Sequence, residues 1–112
     1  MSGQALKGHL DLLLLAVMAD GPKHGYAAIE ALRERSDEVF DLPEGTVYPA
    51  LHRLEKAGYL TSDWTEVQGR RRRTYRLTKR GTSALGEERA TWDQFSAAVG
   101  RVIGGTPWPA TP

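Results

Sequence analysis

Arg70 to Arg73 are four consecutive arginines. A guanidinium stays charged at any physiological pH and presents a planar fork of donors that fits a phosphate. With Arg76, Lys79 and Arg80, the window from 70 to 80 holds seven cations and no acid. Such a run repels itself and calls for a counter-charge, so its chemistry points to a polyanion; the alternative is a solvated charged hairpin. A second basic group lies in GTVYPALHRLEKAGYL, residues 45–60. At 3.6 residues per turn, Val47, Leu51 and Leu54 share one side. Thr46, Pro49, His52, Arg53 and Lys56 occupy the other, with Glu55 at the flank and no carboxylate among them. Net charge is only +1, so the segregation of charge carries the information. From Glu30 to Glu44 the balance reverses, and acids outnumber Arg33 and Arg35.

Other chemistries find little support. His9, His24 and His52 fall in three different segments, and His9 and Asp11 are two apart on a helix, so they point to different faces. There is no nucleophile–base motif, no phosphate-cradling glycine loop and no H-E-x-x-H, so neither catalysis nor a cofactor is expected. The absence of cysteine excludes disulfides and thiolate metal sites, and scattered histidines and acids make no metal site. The apolar run Leu12 to Met18 is too short to span a bilayer, and no signal peptide is evident; a cytoplasmic location is expected.

The chain of 112 residues suits one small domain with a modest core. A first helix is expected from Leu6 to Ala19, stopped by Asp20-Gly21-Pro22. A second runs from His24 to Arg35 with Tyr26, Ile29 and Leu32 as its stripe. Val39 to Pro43 reads as a short extended piece. The third helix starts near Glu44 or Gly45, which places Pro49 in or just beyond the first turn, where its missing N–H costs little. Gly58 ends it. Tyr59 to Val67 and Arg71 to Leu77 form a β-hairpin around Gln68-Gly69-Arg70. Thr78 caps a last helix reaching about Ile103. In it Leu85, Trp92 and Val99 recur every seven residues, with Phe95 and Val102 at the matching positions and Glu88 the exception, a heptad seam for dimerisation. Trp92, Phe95 and Val99 have no surface left to cover them on so small a monomer. Residues 104–112 read as a disordered tail.

The expected fold is therefore mainly α with a small β-hairpin: a winged helix-turn-helix over residues 6–77, then a dimerisation helix over 78–103. In this order of elements the third helix enters the DNA major groove and the wing reaches phosphate or minor groove. Thr46, Pro49, His52, Arg53 and Lys56 would then meet double-stranded DNA, with Arg70, Arg71, Arg72 and Arg73 beside the phosphates. A winged helix serving as a protein adaptor, without DNA, is the alternative.

The sequence resembles the PadR family of bacterial transcriptional regulators. The resemblance lies in L-x-L-L-L-L-A-V-M at 10–18, H-G-Y at 24–26, E-G-T-V-Y-P-A-L-H-R-L-E-K-A-G-Y-L at 44–60 and R-R-R-T-Y-R-L-T-x-x-G at 71–81. It covers about residues 6–103, and the single C-terminal helix is similar to the smaller subfamily. The resemblance implies a two-fold homodimer and repression relieved by a small-molecule or stress signal. It places Tyr26, Tyr48 and Tyr75 at the family's motif tyrosines, on or supporting the DNA-proximal face. It also implies a site for a small planar hydrophobic effector at the dimer centre against Trp92, fourteen residues after Thr78, with Leu12, Ser96 and Val99 lining the space. The alternative is that Trp92 only packs in the seam.

Overall fold

The computed structural model describes residue 6 and residues 8–104. Its elements are α1 (Leu10–Met18), β1 (Lys23–His24), α2 (Gly25–Arg35), α3 (Glu44–Lys56), β2 (Leu60–Val67), β3 (Arg70–Leu77) and α4 (Lys79–Ile103). The expected tail lies outside the described residues except for Gly104.

Three helices close around one core because each offers an apolar side at helical spacing. Leu14, Leu15, Val17 and Met18 of α1, Ala28 and Leu32 of α2, and Val47, Ala50, Leu51 and Leu54 of α3 are buried together. Leu60, Tyr75 and Leu85 complete the cluster from the strands and the start of α4. Full burial of one such leucine contributes about 1.5–3 kcal/mol.

Several expectations are corrected here. The regular part of α1 begins at Leu10, because residues before it turn back, with the His9 N–H donating to the Leu6 carbonyl at 2.8 Å. The wing is a three-stranded antiparallel sheet of order β1-β3-β2, in place of a bare hairpin. Its extra strand pairs Lys23 with Tyr75 and His24 with Thr74. A tight turn precedes the connector after α2: Asp37 and Glu38 adopt φ of 55° and 68°, the Glu38 N–H returns to the Arg33 carbonyl at 2.7 Å, and Ser36 Oγ accepts the Phe40 N–H at 2.8 Å. Residues 39–43 then pair in no strand, and Pro43 at their end is extended. The hairpin turn holds two residues, Gln68 and Gly69, both at positive φ (52° and 77°), so Arg70 belongs to the strand and pairs with Val67. Pro49 sits deeper than expected. The Val47 N–H already reaches the Pro43 carbonyl at 3.2 Å in an i→i−4 bond, so Pro49 removes a bond that the Gly45 carbonyl would have accepted. Both Gly45 and Pro49 are exposed, which leaves that carbonyl to water.

Two residues named for surfaces are buried. Tyr75 is 1% exposed and packs beneath the wing at the floor of the cleft described below, the supporting one of its two expected positions. Leu85 is buried within its own protomer and is not available to a dimer seam. Beyond it no described residue of α4 is buried, and the molecule extends 57 × 27 × 22 Å with this helix projecting.

Candidate nucleic-acid interface

α3 is positioned by close approach. Tyr48 lies across the start of α2, where a Cβ on Gly25 would come within 2.8 Å of the ring carbon Cζ. Only glycine admits that ring. His24, just before it, caps α2 with Nδ1 accepting the Ala27 N–H at 3.2 Å, and its ring stacks near-parallel with that of exposed Tyr26. Burial, and secondarily the Arg72 charge, hold the His24 imidazole below its ordinary pKa, against a smaller opposing effect of Glu30. That keeps it in the neutral form able to accept the bond.

With Val47, Ala50, Leu51 and Leu54 turned inward, Pro49, His52 and Lys56 form the outermost line of α3, all exposed. Tyr48 and Glu55 flank it on the side of the wing. Thr46 and Arg53 flank it on the side of α1. The outer face is therefore not free of carboxylate in three dimensions, as its sequence suggests. Asp11 of α1 pairs with Arg53. Glu55 accepts from Ser62 Oγ at 2.6 Å, and Ser62 Oγ in turn accepts from Arg73 Nε at 2.8 Å. This relay ties α3 to both wing strands and fixes the base of the Arg73 side chain.

Strand alternation divides the four arginines. Arg71 and Arg73 face α3 across an open cleft of about 310 Å³ lined also by His24, Gly25, Tyr48, His52, Trp64, Tyr75 and, reaching it from the other side of β3, Arg72. Arg70 and Arg72 start from the other face of β3. Nor is the basic run as uncompensated as it reads. Arg76 donates to Asp63 at 2.6 Å, and Arg73 lies 3.9 Å from Glu55. Arg70, Arg71, Arg72 and Lys56 make no ion pair among the described residues. Beneath them, burial above all, with Glu55 adding, raises the Tyr75 hydroxyl above its ordinary pKa.

The sequence reading missed Trp64, Asp11, Gly25 and the Glu55–Ser62 pair. Trp64 was the most accessible of these. Once the turn is Gln68-Gly69, register alone sets it opposite Arg73.

The effector residues are only partly brought together. An open hollow of about 160 Å³ between α1 and α4 is lined by His9, Leu12, Trp92 and Phe95, with Gly8, Glu88 and Thr91 at its margin. Ser96 and Val99 do not reach it within the protomer. The His9 ring meets Trp92 edge-on at 5.0 Å.

Three packed helices, a three-stranded wing and a long C-terminal helix define a winged helix-turn-helix protein. The chain belongs to the PadR-like family of transcriptional regulators, whose family description, Transcriptional regulator PadR-like family, is matched by residues 14–87. It is similar to transcriptional regulator Rv3488 of Mycobacterium tuberculosis, with 39% identity over 88 residues, 79% of each chain. Among solved structures it is similar to a Clostridium thermocellum transcriptional regulator, with TM-score 0.82 and 29% identity over 90% of this chain and 96% of that one. A PadR family transcriptional regulator from Eggerthella lenta gives TM-score 0.80 and 29% identity over 92% and 88% of the two chains. The family is one of regulators and not of enzymes. Among the described residues no helix is long and apolar enough to cross a membrane, and no group of His, Asp and Glu could hold a metal ion.

Proposed function

We propose that this regulator is a cytoplasmic homodimeric repressor that binds a pseudo-palindromic operator and is released by a small-molecule or stress signal. The observation that carries the DNA reading is the continuity of the Pro49, His52 and Lys56 line with Arg71 and Arg73 across one open cleft. A helix line facing bases beside guanidiniums facing phosphates suits double-stranded DNA. Thr46 and Tyr26 border this surface, and Arg70 and Arg72 extend its positive field.

Dimerisation rests on α4. Trp92, Phe95, Val99 and Val102 are 41%, 54%, 37% and 85% exposed, a stripe at heptad spacing that a second copy would cover. Two third helices related by the resulting two-fold axis would read half-sites about one helical turn, ~10 bp, apart. A planar hydrophobic effector would sit at the Leu12–Trp92 hollow, with Ser96 and Val99 contributed by the second copy.

Fluorescence anisotropy on a duplex from upstream of the gene and on a scrambled control, at two salt concentrations, tests this. Salt-sensitive, sequence-preferring binding is expected. A folded dimer that binds neither duplex at low salt would overturn it and leave a protein adaptor.

A further inference from the structure

Trp64 is 57% exposed, and the core does not use it. Its immediate company is cationic. The Arg71 guanidinium carbon lies 5.0 Å from the indole centroid and that of Arg73 5.4 Å. The three side chains occupy one face of the wing, with Trp64 directly opposite Arg73 in the strand pairing. They border the cleft that faces His52.

An indole with two guanidiniums over its ring solves a particular problem. Two like charges two residues apart on one strand face repel each other and would sample many rotamers in water. The ring's electron-rich face attracts both cations and restrains them. Stacking uses the flat face of a guanidinium and leaves its edge, which carries the N–H donors, free for a bidentate partner. Arg73 has part of that edge taken by Ser62. Arg71 has none of it taken by an ion pair among the described residues.

We infer that Trp64 is a positioning residue of the wing, which holds the Arg71 and Arg73 guanidiniums stacked so that their edges meet the sugar–phosphate backbone of DNA entering the cleft. This deepens the DNA-binding reading and rests on it. Trp64 acts through the arginines: it adds no charge and reads no base.

A double-mutant cycle on the full-length protein tests this, with anisotropy on the upstream duplex across a salt series. Trp64→Leu alone is expected to weaken binding about five- to tenfold, the scale of two exposed cation–π contacts. The salt slope should stay near the wild-type value, since every cation remains. Trp64→Phe, which keeps an aromatic face, should recover most of the loss, and Trp64→Gln, which lacks one, stands in if the leucine variant does not fold. In an Arg71→Ala/Arg73→Ala background, the same Trp64 substitution should change affinity less than twofold. A Trp64 loss of equal size in that background would overturn the inference and make the indole a direct DNA contact. A non-aromatic Trp64 substitution that leaves wild-type binding intact would overturn it as well. A wild-type protein that binds no duplex would refute the DNA reading itself, and the stack's role with it.

Discussion

Arg53 and Arg71 carry the same guanidinium but stand in different electrical states. Arg53 is already matched by Asp11, whereas Arg71 rests on an indole with no carboxylate bound. A cation that meets a phosphate displaces counterions and steepens the dependence of affinity on salt; one that must first leave a carboxylate does so less. Arg71→Ala should therefore flatten the logarithmic salt slope by up to about 0.9, while Arg53→Ala should flatten it clearly less, both read by anisotropy titration. Equal changes would show that the Asp11 pair does not persist in solution. His24 gives a pH signature. Its imidazole is held below the ordinary value of 6.5, so below that pH the unfolded chain takes up a proton before the folded one does. Stability from this residue is thus complete above about pH 6.5 and is lost as pH falls through the folded-state value. His24→Asn keeps an N-cap acceptor without the titration. Its urea midpoint should fall less than that of wild type between pH 7 and pH 5.

Gly25 makes the same kind of argument for an element. The Tyr48 ring occupies the place of a side chain there, so Gly25→Ala must push α2 from α3 or swing the ring into the cleft. The cost expected of overpacking is about 1–3 kcal/mol, visible as a lowered thermal midpoint. An unchanged midpoint would mean that Tyr48 yields freely. Such contacts explain what the sequence could and could not reveal. The helices and two long strands were legible because Val47, Leu51 and Leu54 repeat at helical spacing, Leu10 to Met18 are apolar almost throughout, and two runs of strand-favouring residues flank a glycine turn. The basic helix face and wing were legible from charge alone. β1 was not, since two residues have no period and Lys23–His24 becomes a strand only when β3 lies beside it. Trp64 was hidden by the assumed three-residue turn, which shifts the strand pairing by one residue and separates it from Arg73. Tyr75 was left between contact and support, and Leu85 carried a surface role, because motif position and heptad spacing do not reveal depth. Asp11 and Arg53 are 42 residues apart, and only the packing of α1 on α3 joins them.

The molecule as a whole is a compact head with one long helix leaving it. Since nothing described beyond Leu85 is buried, that helix can be altered without loosening the head. Phe95→Glu with Val99→Glu should leave the unfolding of the winged helix nearly unchanged. The same pair should shift sedimentation from dimer to monomer and lower DNA affinity at least tenfold, because two linked half-site contacts become one. A double variant that remains dimeric would place the subunit interface elsewhere.

Thr78 joins this helix to the wing with a single residue between β3 and α4. Its hydroxyl donates to the Gly58 carbonyl at 2.6 Å and accepts the Gly81 N–H at 2.9 Å, while its own N–H reaches the Tyr59 carbonyl at 3.2 Å. Gly81 lies so close to Tyr59 that an added Cβ would meet the carbonyl carbon at 2.9 Å. The joint is therefore stiff, and the 25 residues of α4 form an arm about 37 Å long. Like the leg of a pair of calipers, the arm converts angle into distance. A change of about five degrees between the arms of a dimer would change the separation of the two heads by about 3 Å, close to the ~3.4 Å rise of one base pair. A slight re-seating of one α4 against another is thus geared to a whole step along the duplex.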